Sequence, residues 1–231
     1  MDRILLKLSG EALAGDKGTG FDEAVCFEVA KQVAQVAGKG CQVAIVIGGG
    51  NFWRGRSSQE MDRSRADSIG MLATVMNAIY VSDVFERAGM KTRVFTPFAC
   101  GPFTETFAKK AAVSALEAGE VVFFAGGTGH PYFSTDTGAV LRALEIGADT
   151  MLLAKNIDGV YDADPGQDPN AKRYDKVSID EVIEKDLKVI DMTASIMCRD
   201  NHLPMRIFAL NEKDSIIRTV NGEDTGTEVT V

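Results

Sequence analysis

Short, nearly unbroken apolar runs at residues 4–8, 43–47, 121–125, 151–154 and 207–210 recur between longer amphipathic stretches. Runs this brief are too short for helices, and they lack the polar alternation of a half-exposed strand. They fit strands covered on both faces, as in parallel sheets. Residues 93–95 form a weaker run of the same kind. The intervening stretches at 22–38, 67–88, 107–119, 137–147, 178–185 and 194–201 read as helices, several of them closed by glycine. Strand and helix in alternation predict an α/β chain, a three-layer αβα sandwich around a mainly parallel central sheet.

Two stretches depart from that alternation. Residues 156–177 crowd together Asp158-Gly159, Asp164-Pro165-Gly166 and Asp168-Pro169, which are turn signals. Val160 and Tyr161 interrupt the polarity, so an ordered excursion with a hairpin is expected rather than a linker. Residues 227–231 alternate like a strand and are expected to close an edge. Without internal repeats, the 231 residues are expected to form one domain, residues 1–231, with two functional lobes.

Charge and motif content narrow the function. A net charge of −8 speaks against nucleic acid or anionic membrane as partner, since both need an extended basic surface. Cys26, Cys41, Cys100 and Cys198 make no C-x-x-C, and only His130 and His202 are present, so a histidine-rich metal site is excluded. No signal-like segment opens the chain and no stretch approaches ~18 uninterrupted apolar residues, which predicts a soluble cytoplasmic protein. A P-loop, a G-x-G-x-x-G after the first strand, a G-x-S-x-G and the protein-kinase motifs are all missing.

What remains is glycine at strand ends. Lys7 stands inside the first apolar run, where an ammonium is costly unless it meets an anion, and Ser9 and Gly10 follow with backbone N–H groups for phosphate oxygens. Snorkelling at the strand end is the plainer explanation of Lys7. The second run enters Gly48-Gly49-Gly50, with Arg54 and Arg56 beyond it. A turn requiring positive φ needs one glycine; three point to close backbone approach to an anion, with arginine as bidentate partner. The third run leads into residues 126–136, whose end, Ser134-Thr135-Asp136, reads both as a helix N-cap and as an anion-facing helix start with an acidic group that orients cations or a metal-bound phosphate. Asp67 suits either a ribose hydroxyl or a helix start. Tyr161 suits either a purine face or core packing, and Asn156 and Asp164 suit hydrogen bonds to base or ribose.

Taken together, KLSGEAL at 7–13, IGGGNFWRG at 47–55, GMLATVMN at 70–77, GTGHPYFSTD at 127–136 and DGVYDADP at 158–165 resemble the bacterial uridylate (UMP) kinases of the amino acid kinase family, over essentially the whole chain. The resemblance implies the amino acid kinase fold, with an acceptor lobe roughly at 1–145 and an ATP lobe roughly at 146–231. It implies transfer of a phosphoryl group from ATP to UMP with Mg²⁺, catalysed by Lys7, Arg54 and Asp136. ATP would contact Lys7, Leu8, Ser9, Gly10, Gly50, Arg54, Asn156, Tyr161 and Asp164. UMP would contact Gly49, Asp67, Thr128, Gly129, His130, Pro131, Tyr132, Phe133, Ser134 and Thr135, with His130 standing where many relatives carry Asn or another small polar residue. No protein metal ligand is implied. A homohexamer activated by GTP and inhibited by UTP is the further implication.

Overall fold

The structure, a computed structural model, describes residues 1–53 and 60–231. Nine strands form one sheet. In chain order they include β1 (Arg3–Leu8), β2 (Gln42–Ile47), β3 (Thr92–Thr96), β4 (Glu105–Thr106), β5 (Val121–Phe124) and β6 (Thr150–Lys155). Beyond them β7 (Val160–Tyr161) and β8 (Arg173–Tyr174) pair as a separate antiparallel hairpin inside the expected excursion. The chain then adds β9 (Lys176–Ser178), β10 (Met205–Ala209) and β11 (Thr227–Thr230) to the main sheet. Its order is β4-β3-β5-β2-β1-β6-β10-β11-β9, and only the β10–β11 pair is antiparallel. Residues 227–231 therefore do not close an edge as expected, because β9 pairs outside them.

Among the described residues eight α-helices cover the two faces. The helices α1 (Gly10–Ala14), α2 (Glu23–Ala37), α3 (Arg63–Arg87) and α8 (Ser215–Val220) lie on one side; α4 (Lys109–Glu117), α5 (Thr135–Ile146), α6 (Ile179–Glu184) and α7 (Met192–Asp200) lie on the other. Alternate residues of each central strand divide between two cores. Ile4, Leu6 and Leu8 of β1 pack with α2 and α3, while Leu5 packs with α5. By the same period of two, Lys7 faces the α5 side. Cys26 and Cys198 are buried, one in each core, and desolvation raises their thiols to about 11 and about 12.

The longest helix, α3, begins a turn earlier than its apolar pattern suggests. Asp62 is its N-cap, accepting from the Arg65 N–H at 3.1 Å, so Asp67 is not the helix start. Its length and apolarity match a membrane span, yet half of its most apolar window is buried inside the protein. A row of apolar side chains on its outer face stays exposed: Ile69, Leu72, Met76 and Ile79.

Candidate active site

Parallel strands bring their C-terminal ends to one edge, where ligands of open α/β sheets bind. Here the loops after β1, β2 and β5 meet at a cleft of about 620 Å³. The first two loops touch backbone to backbone. A Cβ added at Gly10 would overlap the Gly48 carbonyl oxygen and stand 2.6 Å from Asn51 Oδ1. At Gly49 it would stand 3.0 Å from the Gly70 carbonyl of α3, and at Gly50 2.7 Å from Glu11 Oε1. None of Gly10, Gly48, Gly49 or Gly50 has positive φ; close approach to a backbone carbonyl explains Gly10 and Gly49, whereas Gly50 meets only the Glu11 side chain and a Cβ at Gly48 would make ordinary contacts. Among the described residues the N–H groups of Gly49 and Gly50 have no backbone acceptor. The third loop differs: Gly126, Gly127 and Gly129 all adopt positive φ.

Lys7 and Asp136 meet at the floor of this cleft, with Nζ 2.8 Å from Oδ1 and both side chains largely buried. Ser134 is the N-cap of α5, accepting from the Thr137 N–H at 3.1 Å. The capping alternative for Asp136 thus falls to Ser134, and the Asp136 carboxylate, in the first turn, is used on Lys7. Lys155, at the end of the neighbouring strand β6, faces the same side and donates to the Val189 carbonyl. Burial lowers the pKa of its ammonium; Asp136 pulls it back up and Lys7 lowers it further.

The far wall joins two helix starts. Asp191 caps α7 by accepting from the Ala194 N–H at 3.1 Å, and it also accepts from the hydroxyls of Ser134 and Thr137. Both N-termini therefore open on the cleft, a setting that favours bound anions. Neither Asp191 nor Lys155 carried a role in the sequence reading. A capping residue ahead of α7 was the only signal for the first, and a lysine ending an apolar run the only one for the second.

Ser9, Gly10, Gly49, Gly50, Asp67 and Thr128 line the cleft, as do His130, Phe133, Ser134 and Thr135. Asp67 Oδ2 accepts from Arg63 Nε at 2.8 Å and from the Tyr132 N–H at 2.7 Å, which fastens α3 to the third loop. Tyr132, with φ of 72°, directs its ring toward the Arg63 guanidinium rather than into the cleft. Gly129 and Pro131 also lie outside the lining, and Leu8 buries its side chain in the opposite core.

The three residues read for adenosine stand apart from this cleft. Asn156 lines a second cleft of about 680 Å³ beside α2 and the loop before α8. Tyr161 joins neither core; its hydroxyl donates to Asp158 Oδ1 at 2.8 Å, which removes the packing alternative. Asp164 Oδ1 accepts from the Gly166 N–H in a turn. Arg54 and Arg56 lie outside the described residues.

The motif GMLATVMN acquires a physical meaning on α3. Thr74 Oγ1 accepts from the Gly126 N–H at 2.8 Å, Asn77 donates to the Gly48 carbonyl at 2.7 Å, and the Gly70 carbonyl takes the space where a Cβ on Gly49 would stand. One helix thus holds two of the three loops.

The model of the amino acid kinase family matches residues 2–209. Among solved structures, the UMP kinase of Bacillus anthracis superposes with a TM-score of 0.95 at 35% identity, covering 99% of this chain and 96% of that one. The UMP kinase of Ureaplasma parvum gives a TM-score of 0.93 at 32% identity, over 100% and 99% of the two chains. The uridylate kinase of Archaeoglobus fulgidus gives 0.76 at 26% identity, over 98% and 99%.

Proposed function

The chain belongs to the amino acid kinase family, and from that premise we propose that it transfers the γ-phosphoryl group of ATP to UMP, giving ADP and UDP. The observation that carries this is the Lys7–Asp136 pair on the floor of a cleft shared by two abutting glycine loops and the start of α5. Full-length similarity to two UMP kinases supplies the acceptor.

The transfer needs positioning and charge neutralisation more than covalent help. The phosphate of UMP is already an anionic nucleophile, so no general base is assigned. Asp136 orients Lys7, whose ammonium offsets charge on the transferred group, together with Arg54 and the N–H groups of Gly10, Gly49 and Gly50. Leu8 and Ser9 hold the first loop in place by their backbone: the Leu8 carbonyl accepts from the Gly48 N–H at 3.0 Å, and the Ser9 N–H, expected for phosphate, donates instead to the Ala154 carbonyl at 3.3 Å. Thr128, His130, Phe133 and Thr135 surround the acceptor nucleoside and Asp67 its ribose, while Asn156, Tyr161 and Asp164 serve the adenosine from the 146–231 lobe.

Among the described residues no three carboxylate, histidine or cysteine side chains converge, and Asp136 and Asp191 both have protein partners. That fits Mg²⁺ entering on the triphosphate, ligated by its oxygens and water. It would neutralise β- and γ-phosphate charge. The exposed row Ile69, Leu72, Met76 and Ile79 supports self-association through α3, of which a hexamer is one form. Activation by GTP, inhibition by UTP, a place in pyrimidine nucleotide synthesis and a cytoplasmic location follow from the same reading.

A coupled ADP-release assay across UMP, CMP, AMP and small carboxylic acids, with Mg²⁺ and then with GTP or UTP added, tests it. UMP is expected to be the preferred acceptor. Faster turnover on any other would remove the assignment.

A further inference from the structure

Two buried asparagines stand behind the triple-glycine loop and take no part in the transfer described above. Asn51 is 1% exposed at the end of that loop, and Asn77 is wholly buried in the middle of α3. Each amide donates to the other's side-chain oxygen: Asn77 Nδ2 to Asn51 Oδ1 at 2.8 Å, and Asn51 Nδ2 to Asn77 Oδ1 at 3.1 Å. The second N–H of each goes to backbone, from Asn77 to the Gly48 carbonyl at 2.7 Å and from Asn51 to the Gly20 carbonyl at 2.8 Å. All four side-chain donors are therefore used. Asn51 Oδ1 also abuts Gly10, so the pair touches both phosphate loops.

Burying two amides is costly, and an apolar pair of similar shape fills such a space at little loss when only packing is at stake. An amide pair brings a fixed direction instead. It turns the Gly48 carbonyl toward α3, while the next two residues present N–H groups with no backbone acceptor among the described residues. We propose that Asn51 and Asn77 form a clasp that sets the aim of residues 48–50 at the transferred phosphoryl group, which makes both of them positioning residues. This rests on the phosphotransfer reading above.

The test compares Asn51→Ala, Asn77→Ala and the double variant with wild type, using the acceptor that wild type phosphorylates fastest. Turnover is normalised to folded protein by near-ultraviolet circular dichroism. A misaimed donor costs more in the transition state than in ground-state binding. Each single variant is expected to lose at least about tenfold in kcat, with KM for both nucleotides within about threefold. Because both residues act through one loop, the double variant should lose no more than the worse single one. A kcat within twofold of wild type per folded molecule would overturn the proposal, as would fold-losses that multiply in the double variant. If Asn77→Ala does not fold, Asn77→Ser, which keeps one donor, is read by the same criteria. Failure of the UMP assignment appears separately, as a wild-type preference for another acceptor.

Discussion

Lys7 on the middle strand of the nine and Asp136 in the first turn of α5 form a 2.8 Å ion pair at the floor of the cleft. The lysine comes from the opening strand and the aspartate from a helix on one face of the sheet. Helix α5 joins the parallel strands β5 and β6, so it returns antiparallel to β1 and sets its first turn over the C-terminal end of that strand.

Lys7→Ala is expected to lower kcat by roughly 10²–10³-fold, the scale of one lost transition-state donor. Steady-state ADP release measures it. Near-normal turnover would take Lys7 out of the reaction.

Gly10→Ala should be among the most damaging small changes, because its methyl group would meet the Gly48 carbonyl and not a mobile side chain. The two loops would have to separate. A loss of about 10²-fold in kcat/KM is expected, since displacements near 1 Å in an active site cost that much. Activity within a few-fold of wild type would show that the loops do not need this contact.

Leu72→Glu with Met76→Lys places charge on two exposed apolar positions of α3. Sedimentation velocity should show wild type as an oligomer and the variant as a smaller species. An unchanged distribution would move the interface elsewhere.

Lys155→Met removes an ammonium whose pKa is lowered chiefly by burial. The folded pKa lies below the unfolded one, so folding of wild type is penalised at neutral pH, and the penalty fades as pH rises toward the unfolded value near 10.4. Thermal midpoints should favour Lys155→Met at pH 7, and the difference should narrow as pH rises toward the unfolded value. A gap that widens with pH would contradict the assigned sign.

Strands and glycine loops were legible in the sequence because burial on both faces leaves an unbroken apolar run, and close approach leaves glycine. Asn51, Asn77 and Asp191 left no comparable trace. A buried amide or cap works through one partner distant in sequence, so no periodicity announces it. The start of α3 was misplaced for a related reason: its first turn is polar, and Asp62 rather than the apolar pattern begins it. Short strands such as β4 and β9 escaped because two or three residues carry too little pattern. The residues read for adenosine fell outside the main cleft because turn signals locate a bend without saying where it leans.

The order of the sheet has a consequence for how the chain is made. β1 is synthesised first, yet one of its two neighbours is β6, at Thr150–Lys155. During translation the strand bearing Lys7 can pair with β2 early, but its other edge stays open until residues 150–155 have emerged. Such long-range parallel pairing is slow, and an open edge invites association with other nascent chains. The strand bearing Lys7 thus precedes the other described strands of the sheet, yet both of its edges are covered only once β6 has followed.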